Sequence, residues 1–312
     1  MSWSTTPRGP KHVGSPWRQA VADSKQDEIP TQPLIQAQPQ DTRAPGGQPV
    51  ITRARTLSIN CRNKNSVADI PFPSRHWNRR LPVLIEFINN CAPSVLGVQE
   101  TNNSMAADII NGLGPNWTFW GSRTAKIIWD STKWIALDHF EAGLPFTELG
   151  ISKVRPLTML KLMSIKTRGF AWFVSTHLVV NIANEEAIRQ RQIKLVIQHL
   201  EERPDHERVI IFGDFNSIPT NSSVRKIASN AGYKHLRAKL SAITRKTCNT
   251  FNGWKITKRE GRWNDDILTS PHVKPYAGAI MLTDSTALPI HATDHNGVFA
   301  KVEFQSPPAL PL

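Results

Sequence analysis

The chain has 312 residues, 39% of them hydrophobic, and a formal net charge of +13 at pH 7; it can bury a sizeable core, in one large domain with a tail or in two domains, and its basicity points to a polyanionic partner. Its three cysteines, Cys61, Cys91 and Cys248, cannot pair completely and form no Cys-x-x-Cys or Cys/His cluster, which excludes a disulfide framework or a cysteine zinc site and reads as free thiols of a reducing compartment. No apolar run approaches the ~18 residues that span a bilayer, and the N-terminus lacks the apolar core of a secretory signal, so the expectation is a soluble protein of the cytoplasm, nucleoid or nucleus, without a membrane partner.

Residues 1–54 are rich in Pro, Gln, Ser, Thr and Gly with little apolar periodicity, the composition of a disordered tail. Seven Lys/Arg against four Asp/Glu leave residues 1–55 at +3, so the other +10 belong to the remainder. Thr56–Asn60 alternates as a strand. Leu81–Asn90 has helical spacing, and Ser94–Val98 is a short apolar run that ends in Gln99-Glu100. Met105–Leu113 reads as a helix stopped by Gly114. Short strands follow at 117–120, 126–129 and 133–137, then a hairpin of 157–165 with 170–176. Glu185–Glu201 is a helix with Ile188, Ile193, Val196, Ile197 and Leu200 on or near one face. Val209–Phe212 is a buried strand, Ser222–Ala231 a helix ending at Gly232, and 266–269 and 298–304 are the last strands. Residues 306–312, rich in proline, form a tail. The pattern fits an α+β domain over residues 55–305, with two packed mixed β-sheets flanked by helices in a four-layer α/β sandwich.

Polar residues recur where apolar strands end: Asn60, Gln99-Glu100, His177, Asp214 with Asn216, Asp265, and Asp294-His295. Asp214 and Asn216 lie two apart beyond Gly213, a spacing that projects both from one side of a strand end; the plainer reading of the same residues is an Asx-type turn. A histidine beside a strand is most often a structural hydrogen-bonding residue, but six such sites together supply acids for a hard cation, amides for orientation and imidazoles for proton work.

Gln99-Glu100, Ser175-Thr-His-Leu178, Gly213-Asp-Phe-Asn-Ser217, Asp265-Asp-Ile-Leu268 and Thr293-Asp-His295 resemble, in order, the motifs of the endonuclease/exonuclease/phosphatase superfamily, whose fold is that of deoxyribonuclease I. Asn60, Arg191-Gln192 and Thr250-Phe251 are secondary matches, and the resemblance covers about residues 55–305. It implies a metal-dependent phosphoesterase working by in-line attack of water. Glu100 would be the principal Mg²⁺ ligand, with Asn60 and Asp294 near the metal and Mn²⁺ able to replace it. Asp214 would position or deprotonate the water, and Asn216 and His177 would bind phosphoryl oxygens. His295 would act as acid/base, oriented by Asp265, chosen over Asp266 by register with Ile267-Leu268. The family often has an active-site tyrosine between the Glu and His motifs. Here Ile128-Trp129 stands on the nearest matching strand, and Tyr233 and Tyr276 are the only tyrosines.

Between Arg225 and Arg262 eleven Lys/Arg face a single acid, Glu260, with Tyr233, Phe251, Trp254 and Trp263 interleaved. Cations that meet phosphates and aromatics that stack on bases point to nucleic acid, with Lys246, Lys255, Lys258, Arg259 and Trp254 as contacts. The leading expectation is a monomeric endonuclease acting on DNA. The alternatives are a phosphatase or phosphodiesterase of a phosphoinositide, a sphingolipid or another small phosphoester, an RNA exonuclease, and a non-hydrolytic nucleic-acid-binding protein.

Overall fold

The computed structural model describes residues 50–180, 182–217, 222–240, 249–254, 263–281, 283 and 290–305, all within one compact unit, Ile35–Leu312. The first strand, β1 (Ile51–Asn60), begins at Ile51 and not at Thr56. Arg53 and Arg55 make this stretch look like tail by composition, yet Thr52 and Ala54 are buried and Ile51–Ser58 pair residue by residue with the final strand. Residues 51–54, assigned to the disordered tail from sequence, are therefore part of the folded domain. Residues 1–49 and 306–312 lie outside the described residues.

The order continues α1 (Trp77–Cys91), β2 (Val95–Gln99), α2 (Asn103–Leu113), β3 (Trp117–Trp120), β4 (Lys126–Asp130), β5 (Trp134–Glu148), β6 (Ile151–Ser164) and β7 (Phe170–His177). It ends with α3 (Glu185–Glu201), β8 (Val209–Asp214), α4 (Ser223–Asn230), β9 (Lys234–His235), β10 (Asp265–Thr269), β11 (Val273–Met281) and β12 (Gly297–Gln305). Local chemistry sets several boundaries. The Asn102 side chain accepts from Met105 N–H to cap α2, and Ser222 does the same for α4 through Arg225 N–H. Gly114, at φ 106°, stops α2.

Most strands expected from sequence are present. The long extension of β5 and β6, the short β9 and all of β11 are not apparent from sequence. β5 and β11 contain Pro145 and Pro275 and lie at sheet edges, where a missing N–H costs no ladder bond.

The strands form two six-stranded mixed sheets, ordered β11-β12-β1-β2-β4-β3 and β5-β6-β7-β8-β10-β9. The two parallel pairs, β1/β2 and β7/β8, sit inside the sheets, each joined by a crossover helix, α1 and α3 respectively. Leu57, Ile59, Leu96, Val98 and Phe299 of the first sheet pack outward with Leu84 and Ile88 of α1 and Met105 and Ile109 of α2. Trp172, Val174, Val209 and Ile211 of the second pack outward with Val196 and Leu200 of α3 and Val224 and Ala228 of α4. Ile127, Trp129, Phe173, Ile210, Phe212 and Ile267 fill the space between the sheets. This is the four-layer α+β sandwich expected from sequence.

The sheets approach closely at Gly97, where an added Cβ would lie 2.2 Å from the Phe212 ring. Along the inward-facing register, apolar residues then give way to polar ones. Ile210, Phe212 and Asp214 succeed one another on β8, and Phe173, Ser175 and His177 on β7.

Candidate active site

Parallel strands deliver their C-terminal residues to one rim. In register, Asn60 of β1 sits beside Gln99 of β2, His177 of β7 beside Asp214 of β8, and Asp214 opposite Asp265 of β10. A buried bond layer ties the sheets beneath them: Gln99 Nε2 donates to Ser175 Oγ at 3.1 Å, and Ser175 Oγ to Val98 O at 3.2 Å. Gln192 of α3 holds the segment after His177, accepting from Val179 N–H at 3.0 Å and donating to Leu144 O at 3.2 Å.

Asp214 is the hub. Its Oδ2 accepts from Asn60 Nδ2 at 3.0 Å and lies 3.7 Å from His177 Nε2 and 3.9 Å from His295 Nε2. Its Oδ1 accepts from Asn216 N–H at 3.0 Å, while Asn216, at φ 49°, donates from Nδ2 to Leu178 O at 3.0 Å. The Asx turn and the polar rim are thus the same structure. β8 ends at Asp214, and the turn brings the Asn216 amide back toward the site.

Glu100 follows β2 in the left-handed region, at φ 56°. Such strain in a non-glycine residue persists where its surroundings over-determine it. Here Asn60 Nδ2 donates to one carboxylate oxygen and Asn63 N–H to the other, both at 3.1 Å. Burial opposes the charge on Glu100, but His177 and these two donors outweigh it and hold the carboxyl at about 2.

Of the adjacent acids after Asn264, Asp265 reaches His295, its Oδ2 lying 2.8 Å from Nδ1. Asp266 points to the opposite face, 3.3 Å from His235 and 3.8 Å from Arg225. Asp265 N–H donates to Thr250 Oγ1, and Phe251 packs edge-on against the His295 ring. Burial disfavours the His295 cation, but Asp265 and then Asp294 and Asp214 push it up to about 10. His177 goes the other way: burial lowers it, against the pull of Asp214 and Glu100.

Sequence reasoning passed over Arg62. Its guanidinium lies 3.0 Å from Asp69 and 3.6 Å from Asp294. A lone arginine beyond Asn60 carries no pattern, and its partners are distant in sequence. Arg155 was also missed, although it shares the field of Glu100 and Asp214. Trp129 of β4 is buried between the sheets. The cleft above the rim has a volume of about 720 Å³ and is lined by Arg62, Arg75, Glu100, His177, Asp214, Asn216, Trp254, Asp294 and His295, among others. Trp254 is therefore at the cleft. Lys246, Lys255, Lys258 and Arg259 lie outside the described residues.

The donor chemistry fits a divalent cation. Glu100 and Asp294 supply carboxylate oxygens at the cleft, the ligand type of Mg²⁺. Asn60 turns its Nδ2 to Glu100 and Asp214 and its Oδ1 to Arg62 N–H, an arrangement that braces the acids. Asp214, Asp265 and His295 also bring one potential ligand atom each within 4.8 Å of one another, and Asp265 and His295 are hydrogen-bonded to each other. Cys61 and Cys91 are free and buried, and Cys248 lies outside the described residues.

Among solved structures, the chain is similar to an endonuclease/exonuclease/phosphatase family protein from Bacteroides thetaiotaomicron. Identity is 19% over 82% of this chain and 97% of that one, with a TM-score of 0.71. A mannosyl-6-phosphatase of the same organism is 18% identical over 80% and 98%, with a TM-score of 0.68. Danio rerio TDP2 complexed with a single-strand DNA product is 17% identical over 80% and 99%, with a TM-score of 0.64. No curated protein matched the chain significantly. A sequence model of the Endonuclease/Exonuclease/phosphatase family matches residues 57–295, a span that takes in Asn60, Glu100, His177, Asp214, Asp265 and His295. With its two six-stranded sheets and the rim they build, the chain belongs to the endonuclease/exonuclease/phosphatase family.

Proposed function

We propose that this protein is a divalent-cation-dependent phosphodiesterase that hydrolyses DNA phosphodiester bonds as an endonuclease. The observation that carries the hydrolytic reading is the convergence on Asp214 of Asn60, His177 and His295, each within 4 Å of its carboxylate. A carboxylate held in that frame orients an attacking water and takes its proton. The water oxygen bonds to phosphorus as the opposite P–O bond breaks, in line, with no covalent enzyme intermediate.

His295, charged through Asp265, and His177 donate to phosphoryl oxygens, and His295 returns a proton to the leaving oxygen. One N–H of Asn216 is engaged by Leu178 O, and the other serves a phosphoryl oxygen. Glu100 and Asp294 would hold the cation, Mg²⁺ or Mn²⁺, which when bound neutralises charge on the phosphate and steadies the leaving group.

Support for DNA comes from the basic stretch between Arg225 and Arg262, whose Trp254 lines the cleft while Tyr233 and Trp263 are buried in the core, from Arg62 and Arg75 at the cleft, and from the likeness in fold to a TDP2–DNA complex. The test is a Mg²⁺-dependent screen over supercoiled DNA, single strands, RNA, a soluble phosphoinositide and mannose 6-phosphate. Nicking of the closed circle, blocked by chelator, is expected. Turnover of a small phosphoester with no cleavage of DNA would overturn the reading.

A further inference from the structure

Trp254 adopts a conformation that bulky residues seldom take. Gly253 and Trp254 have φ of 59° and 64° in succession, and a left-handed aromatic residue is a genuine outlier. Its surroundings hold it there. Asn252 and Gly253 donate their backbone N–H groups to Asp294 O at 2.9 and 3.1 Å. Asn252 Nδ2 reaches Thr293 O and Asn296 Oδ1, and Asn252 Oδ1 accepts Trp254 N–H at 2.8 Å. The backbone that carries the indole is thereby tied to the segment that bears Asp294 and His295, and Trp254 lines the cleft.

A second wall meets it. The Arg75 guanidinium lies 3.8 Å over the Phe72 ring and 5.2 Å from the Trp254 ring, and Asp69 is 4.0 Å away. Phe72 is 44% exposed. Arg80, fully buried, braces the assembly from behind. It donates to the carbonyls of Arg75, Cys61, Arg62 and Ala292 and lies 5.6 Å from the Trp254 ring. Arg62, Arg75 and Trp254 thus line one cleft with Glu100, Asp214 and His295, and Phe72 lies beneath Arg75.

Resting on the proposed DNA-hydrolytic function, we infer that Phe72, Arg75 and Trp254 form a subsite for an unpaired nucleotide next to the scissile phosphate. Arg75 and Arg62 contact the flanking phosphate and the aromatic surface packs on the base. A paired base has its faces covered by its neighbours in the stack, whereas an unpaired base offers a face to an aromatic side chain. The enzyme therefore prefers single-stranded over duplex DNA.

Initial rates on single-stranded and duplex oligonucleotides of one sequence test this, for the wild type, Trp254→Asn and Arg75→Gln. Asparagine tolerates positive φ, so the first variant removes the ring without new strain. Turnover of bis(4-nitrophenyl) phosphate reports separately on the integrity of the catalytic centre. The wild type should favour the single strand by about 10-fold or more, and each variant should bring the ratio toward one, chiefly through KM. A wild-type preference for duplex, or a ratio unmoved in both variants, overturns the inference and leaves the proposed function standing. A wild type that cuts neither DNA overturns the function, and the inference with it.

Discussion

At the scale of single residues, the Asp265–His295 pair sets the proton inventory of the site. Asp265→Asn keeps the shape of the side chain and removes the charge that orients and holds the imidazolium. Turnover should fall by about 10²–10⁴-fold with circular dichroism unchanged. The pair also affects stability. His295 sits at about 10 in the folded state, against about 6.5 in an unfolded chain. The stabilisation from its extra proton is complete below about pH 6.5 and fades as pH rises through about 10. Burial raises Asp265 to about 6, so that carboxyl is mostly ionised at the low end of this window and fully so above it. In chelator, the difference in unfolding temperature between wild type and Asp265→Asn should therefore narrow from about pH 6.5 to about pH 10. A constant or widening difference contradicts the assignment. Asp214→Asn removes the acceptor for the water proton, so it should abolish turnover while the dissociation constant for DNA changes little; near-wild-type activity would remove Asp214 from its role. Register with Ile267-Leu268 favoured Asp265, since neighbours on β10 face opposite sides, but only the packed structure decided that it is Asp265 that meets His295. The partners of Asp266, His235 and Arg225, could not be read from the chain because they depend on how α4 and β9 pack.

At the scale of elements, the site depends on two strands that meet across the core. Gly97 on β2 lets Phe212 on β8 lie against the first sheet, and Asp214 follows Phe212 by two residues on the same face. Gly97→Ala places a methyl inside the ring's contact distance. It should cost about 1–3 kcal/mol in urea unfolding and lower activity by displacing β8. A neutral effect on both would show that the sheets part without consequence. The strands that bear the site residues end in short apolar runs and are the ones visible in sequence. The elements that escaped notice, β11 and the outer lengths of β5 and β6, lie at or next to sheet edges. There prolines, charges and half-buried positions blur the two-residue period.

At the scale of the whole molecule, the cleft gathers residues from Asn60 to His295, so the candidate site exists only when both sheets are assembled. Chelation should stop hydrolysis, and added Mg²⁺ should restore it, with far-ultraviolet circular dichroism constant throughout. Hydrolysis that survives chelation would remove Glu100 and Asp294 from their assigned role. Neutralising Lys255, Lys258 and Arg259 together should weaken DNA binding and flatten its salt dependence, by roughly 0.7–0.9 in log–log slope for each phosphate that no longer meets a cation. An unchanged slope would place this basic stretch away from the nucleic acid. Among the described residues no helix is long and apolar enough to cross a membrane.

The motif of Asp214 and Asn216, the acid at Glu100 and the Asp294-His295 pair were legible from the chain alone. Strand ends announce themselves by a local change from apolar to polar residues, and the order of those ends matches a known family. Tertiary structure alone decided that Asn60 bridges Glu100 and Asp214, that Arg62 pairs with Asp294, that Arg155 shares the field of the acids, and that Arg75 stacks between Phe72 and Trp254. These contacts join residues remote in sequence through the packing of two sheets, and no local pattern of residue types encodes that distance.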